Sequence, residues 1–282
     1  MFPPVDTKDP TAVSAEAAAA FSAMFPSADR GFVPRAFGWA QECFTGRYGD
    51  YQAIDACYHD FEHTLQGTLC MVRLLRGRHR AGATPLLPQR LFELGLVAIL
   101  FHDTGYLKVR SDRTGTGAKY TAVHVHRSAE FAAAFLAGQG FGAGEIGAVQ
   151  HMIRCTGVNV DLPAIPFQSD LERMVGYGLG TADYLGQMAA ADYVEKLPIL
   201  YSEFAEAARF NEGKALPSLA FTTAEDLMRK TPGFWTHFVL PKLTKDFGGL
   251  YRFLADPYPD GPTEYLERVE ANIQRLRRQF PA

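Results

Sequence analysis

Cysteine is scarce: the chain carries Cys43, Cys57, Cys70 and Cys155 in 282 residues, and no two form a CxxC pair. That spacing offers neither a disulfide framework nor a thiolate zinc site, and reads as reduced thiols in a cytoplasmic protein. A basic excess is missing too. The formal net charge is −3, so nucleic acid is not an expected partner. The longest apolar run, around residues 94–101, is far too short to span a bilayer, and no membrane partner is expected. The opening MFPPVDTKDPTAVSAEAAAAF has no basic segment followed by an apolar core, the pattern of a secretory signal. Convincing strand alternation, internal repeats and low-complexity tracts are absent as well. What remains is 47% hydrophobic and 21% charged, enough for a sizeable core in an all-α, single-domain protein over residues 1–282.

The apolar spacing predicts helices throughout. One is expected over 13–24 with Ser14 as cap, and another over 33–45. A long helix is expected over 52–76, with Phe61, Leu65, Leu69, Val72 and Leu75 as its core stripe. A buried helix follows over 89–102, with Gly105 as its C-terminal cap, then an exposed polar loop over 107–122. Further helices are expected over 125–138, 143–155, 170–178 (capped by Ser169), 181–195, and from Pro198 to 209. The tail carries helices near 224–230, 234–254 (broken by Pro241 and Gly248–Gly249) and 263–279. Its aromatic stretch PGFWTHFVLPKLTKDFGGLYRFL packs over the core or forms a homodimer contact.

The stretch FHDTGY (101–106) stands out. It places His102 and Asp103 where the most apolar helix ends, so Asp103 faces both an unfavourable dipole and apolar packing. A bound cation removes both penalties. Seven of the eight histidines fall between residues 59 and 151. His59 and His63, four apart, would share one face of the helix expected over 52–76. Asp183, among small residues in GLGTADYLG, is a carboxylate that could close a metal site; Asp192 is a weaker competitor. His124 and His126 flank a helix start, and His151 lies off the stripe formed by Ile146, Val149 and Ile153.

The order His63, His102–Asp103, Asp183 in helical context resembles the HD-domain superfamily of metal-dependent phosphohydrolases. YHDFEHT resembles the YHNxxH segment of cyclic-nucleotide phosphodiesterases, which implies a metal ligand at His63 and a general acid at His59. HVHRSAEF resembles the HxxxGAEI segment of HD-GYP phosphodiesterases, which implies a metal ligand at His124, and His151 falls where that group has its next histidine. The resemblance covers roughly residues 50–205 and implies an HD-like helical bundle with N- and C-terminal helical extensions. Asp60 stands in place of the phosphodiesterase Asn, and Thr-Gly-Tyr follows the His-Asp pair where the HD-GYP group has Ile-Gly-Lys.

The expected activity is metal-dependent hydrolysis of a small phosphoester, mono- or diester, by metal-activated water. One or two divalent ions (Mn, Fe, Mg, Ni, Co or Zn) would be held, the first by His63, His102, Asp103 and Asp183. His124 and His151 would help to hold a second, bridged by Asp103. His59 would protonate the leaving oxygen. Lys108 and Arg110 would contact phosphate, whereas Lys119 reads as ordinary loop solvation. Two other readings use the same ligands: a mixed-valent di-iron oxygenase of the HD fold, and a ligand-sensing module without turnover.

Overall fold

In the computed structural model, residues 2–211 and 221–280 are described. Ten α-helices and no sheet are found among them. The all-α expectation holds; only two isolated bridges, Thr45 with Ala53 and Tyr51 with Val109, pair extended chain.

The centre is built by three helices. α3 (Phe61–Arg80) and α7 (Asp170–Met188) cross closely, and α4 (Gln89–Phe101) packs beside both. The closeness depends on glycine. A Cβ on Gly186 would stand 2.7 Å from the Gln66 carbonyl, and one on Gly95 would stand 2.6 Å from Val175. α1 (Pro10–Met24) and α2 (Phe32–Phe44) cover α3 and α4 on one side. α5 (His124–Gly138) and α6 (Ala143–Arg154) pack together, and α6 lies on α4 and α7.

Several local expectations change. α1 is capped by Asp9, whose side chain accepts from the Thr11 N–H, and Pro10 opens it, so Ser14 lies inside the helix. Residues 52–60 are not helical. Gln52 and Ile54 donate their backbone N–H groups to the Lys108 and Phe44 carbonyls, and Asp60 starts α3 by accepting from the His63 N–H at 2.8 Å. The glycine-bearing stretch around residue 180 does not divide α7, which is one helix capped by Ser169. Pro198 lies inside α8 (Tyr193–Phe210) rather than opening it. The loop after α4 contains short 3-10 turns at Thr104–Tyr106 and Gly117–Tyr120, and buries Lys108 and Lys119.

The C-terminal third packs over the core, as expected. It comprises α9 (Ala224–Phe234), two π-helical turns at Trp235–Val239 and Lys242–Asp246, a 3-10 turn at Leu250–Leu254, and α10 (Glu264–Gln279). Trp235 is buried and donates to Glu270 at 2.6 Å, while Val269, Ile273 and Leu276 form the inner stripe of α10. No helix among the described residues is long and apolar enough to cross a membrane.

Candidate metal centre

Helix ends and one helix middle bring four residues together. His63 lies in the first turn of α3, His102 caps the C-terminus of α4, Asp103 follows it, and Asp183 projects from the middle of α7. His63 Nε2 is 3.2 Å from Asp103 Oδ2 and 3.3 Å from Asp183 Oδ1. His102 Nε2 is 3.3 Å and 3.5 Å from the same two oxygens. All four residues are buried.

Gly105 has a different role from the expected cap. A Cβ there would stand 2.0 Å from the His124 carbonyl oxygen, so only glycine lets the chain after the His-Asp pair lie against the start of α5. The Gly105 N–H donates to Ser128 Oγ, and Arg127 donates back to the Gly105 carbonyl. That contact brings His124 Nε2 to 3.9 Å from Asp103 Oδ1, the other oxygen of that carboxylate. His126 is exposed and faces Glu130 at 3.1 Å, so of the two histidines it is His124 that lies beside Asp103.

The imidazoles are held by their other nitrogen. Nδ1 lies 2.7 Å from the Ile99 carbonyl in His102, 2.7 Å from the Thr121 carbonyl in His124, and 2.6 Å from Glu203 in His59. A carbonyl or carboxylate only accepts, so each Nδ1 carries a hydrogen and each Nε2 is the nitrogen left to ligate, to donate or to accept. This is the carboxylate- or carbonyl-buttressed arrangement that metal-ligating histidines show.

The donor set fits a divalent ion. His102 Nε2 and Asp103 Oδ2 are buried with no hydrogen-bond partner; they approach each other without hydrogen-bond geometry, as atoms converging on a common centre do. Around an ion with bonds of about 2.0–2.2 Å, tetrahedral ligand atoms stand roughly 3.3–3.6 Å apart. The ligand atoms of His63, His102 and Asp183 all lie within 4.8 Å of one another, and so do those of His59, His63 and Asp103. Two imidazoles with two carboxylates suit Mn, Fe, Co, Ni or Zn better than Mg.

The electrostatics agree. Burial opposes charge on His63, yet the Asp103 and Asp183 carboxylates outweigh it and raise its pKa to about 10. His102 is raised by the same balance. Burial would raise both aspartates, but the two imidazoles hold them below the usual carboxylate range. His124 is lowered, chiefly by burial, which favours its neutral, ligating form.

Other expected residues lie elsewhere. His59 is not on a helical face with His63; it precedes the Asp60 cap in a bend, its ring is held by Glu203 through Nδ1, and it lies beside His63 and Asp103. His151 joins neither group of converging atoms. Its Nδ1 pairs with Glu172 at 2.8 Å, and Glu172 precedes Asp183 by eleven residues of continuous helix, about 16 Å along α7. Lys108 is buried and paired with Asp55 at 2.7 Å, and donates to the Gly115 carbonyl. Arg110 is exposed and donates to the Gly46 carbonyl. Both side chains thus have partners within the protein. Asp192 caps α8 and faces Lys196.

Two groups escaped sequence reasoning. Glu203, buried on α8, holds both the Tyr58 N–H and the His59 ring. Its one sequence signal is a carboxylate four residues before Ala207 on the buried face of that helix. Tyr106 is fully buried, and its ring stacks on His59 at 4.5 Å and on His124 at 4.7 Å.

Fold and site together define an all-helical protein with a buried group of histidines and aspartates that could hold a metal ion. A family model described as Npun_R2479-like matches residues 48–252, and the chain belongs to that family. The match contains every residue of the cluster and runs past position 205, where the expected core ended. No curated protein matches the chain.

Proposed function

We propose that the protein is a metal-dependent phosphoric ester hydrolase of the HD type, with one divalent ion held by His63, His102, Asp103 and Asp183. The observation that carries this reading is the convergence of two buried Nε2 atoms on two ionised carboxylates, with a separately oriented imidazole, His59, at the edge. The ion would supply Lewis acidity and make water nucleophilic at neutral pH. His59 delivers a proton to the leaving oxygen, and Glu203 holds its ring through Nδ1. Tyr58 and Gln187 position Asp183: Tyr58 donates to Gln187, and Gln187 donates to Asp183 Oδ1. His124, on the far oxygen of Asp103, together with His59 borders the position a second ion would take.

The test combines metal analysis of purified variants with a phosphoester panel. His63→Ala and Asp183→Ala lose bound metal and activity together. His59→Ala keeps the metal and loses activity by about 10²–10⁴-fold, the usual contribution of a general acid. His151→Ala keeps both. Full metal occupancy in Asp103→Ala sinks the scheme. Oxygen consumption with a mixed-valent iron signal, and no phosphoester turnover, would assign the site to the oxygenase reading instead.

A further inference from the structure

A cavity of about 320 Å³ lies where the segment before α1 meets α3, α7 and α10. Gln66, Leu69, Arg73, Gly186, Ala189 and Tyr265 form its buried lining. Residues Pro4 to Lys8 form another wall. That segment is fastened on both sides: the Phe2 N–H donates to Glu264 at 3.0 Å, and Thr7 donates to Glu62 at 3.4 Å. No residue of the metal centre lines the cavity, so it is a separate place in the fold.

Arg73 is the one charged group in the buried lining. It is 3% exposed, and no carboxylate among the described residues pairs with it. Its contacts are neutral. Nη1 donates to the Tyr265 hydroxyl at 3.3 Å, Nη2 donates to the Pro3 carbonyl at 2.5 Å, and the Phe2 ring lies 4.7 Å from the guanidinium carbon. The Nε–H is buried with no hydrogen-bond partner. The acids that line the cavity, Asp6, Glu62 and Asp192, all belong to its less buried part. There Lys196 stands 2.9 Å from Glu62 and 3.8 Å from Asp192. Lys8 and Arg268 are exposed at the same rim. A guanidinium withdrawn from water is costly unless an opposite charge repays it, and neutral acceptors repay little of that cost.

We infer that this cavity binds a small molecule through an oxyanion, a carboxylate or a phosphoryl group, seated on Arg73. Nε and Nη2 lie along one edge of the guanidinium, the fork that meets two oxygens of a carboxylate or phosphate side by side. The oxyanion takes the place of the Pro3 carbonyl on Nη2 and gives the Nε–H its acceptor. Tyr265 retains Nη1 and holds the fork in register. The remainder of the molecule lies against Leu69 and Ala189, and Lys8 and Arg268 draw the anion to the mouth. This binding site is independent of the hydrolase reading above, because it shares no residue with the metal centre.

The experiment titrates acetate, succinate and inorganic phosphate calorimetrically into the purified full chain at constant ionic strength. At least one of them binds one to one with a Kd below about 1 mM, and raises the melting temperature as a ligand of the folded state does. Binding confined to acetate or succinate names a carboxylate ligand, and binding confined to phosphate names a phosphoryl one. Arg73→Gln weakens the binding by at least about tenfold, the loss expected when a charge-assisted hydrogen bond is removed. Ala189→Leu fills the cavity with Arg73 in place and weakens it likewise, which keeps the test decisive if Arg73→Gln fails to fold. His63→Ala, which alters the metal centre, binds the same anion unchanged. The inference is overturned if none of the three anions binds that tightly, if binding survives in the folded Arg73→Gln or Ala189→Leu protein, or if His63→Ala abolishes it and so places the anion at the metal centre.

Discussion

The crossing of α3 and α7 couples packing to the metal site, and one methyl group tests that coupling. Gly186→Ala places a Cβ 2.7 Å from the Gln66 carbonyl and the Gly67 nitrogen, both backbone atoms that no rotamer change can move. Ordinary contact begins at 3.4 Å, so the helices must part by about 0.7 Å (3.4 − 2.7). Overpacking of this kind costs about 1–3 kcal/mol. Gly178→Ala on the same helix is the control, because its Cβ would meet only Leu74 Cδ2 at 3.7 Å. Both substitutions gain about 1 kcal/mol of helix propensity. That gain cancels in the comparison, leaving Gly186→Ala about 1–3 kcal/mol less stable than Gly178→Ala in urea denaturation. The site should follow. Asp183 lies one turn before Gly186, and His63 one turn before Gln66, so parting the helices widens the 3.3 Å gap between His63 and Asp183. Ligand distances tolerate only about 0.2 Å. Metal affinity in a chelator competition should therefore fall by about 10–100-fold with every ligand intact, as it does when supporting groups are lost. Equal stability and equal metal affinity in the two variants would refute the coupling.

Two further outcomes follow from the charges. Burial opposes a proton on His63, but Asp103 and Asp183 raise its folded pKa to about 10 against an ordinary 6.5. The stability this proton contributes is fully present below 6.5 and lost as pH rises through 10, so chelator-treated protein should denature more easily at pH 10 than at pH 7. An incoming ion must displace the same proton, so apparent metal affinity should climb across that window, measured by competition at fixed free metal. Lys108→Ala should lower the melting temperature, because it leaves Asp55 and the Gly115 carbonyl without their partner, while the KM for a phosphoester stays unchanged. A KM rise with unchanged melting would return Lys108 to the substrate.

The helical class and most helices were readable because apolar spacing at a 3.6-residue period is a local property. α4 ending on His102 and Asp103 was readable for the same reason, since charge beside a long apolar run is conspicuous. The errors share a cause in distant partners. Residues 52–60 carry helix-forming side chains, but their backbone groups pair with Phe44 and Lys108, which the period cannot reveal. The glycines of α7 resemble a break, yet Gly186 marks where another helix touches. Lys108 looked like a phosphate contact on an exposed loop and is buried on Asp55, fifty-three positions earlier. Glu203 orients His59 across 144 positions, a separation at which single-chain patterning carries no signal.

The Nδ1 contacts have a spectroscopic consequence. In His59, His102 and His124 the Nδ1 hydrogen is enclosed by an acceptor within 2.7 Å, and His102 is almost wholly removed from solvent. Such protons exchange slowly and resonate far downfield, where few other signals fall. They form a set of reporters that needs neither substrate nor turnover. An ion arriving at Nε2 would perturb each ring from its opposite side, and the order in which the signals move would show which imidazoles it touches first.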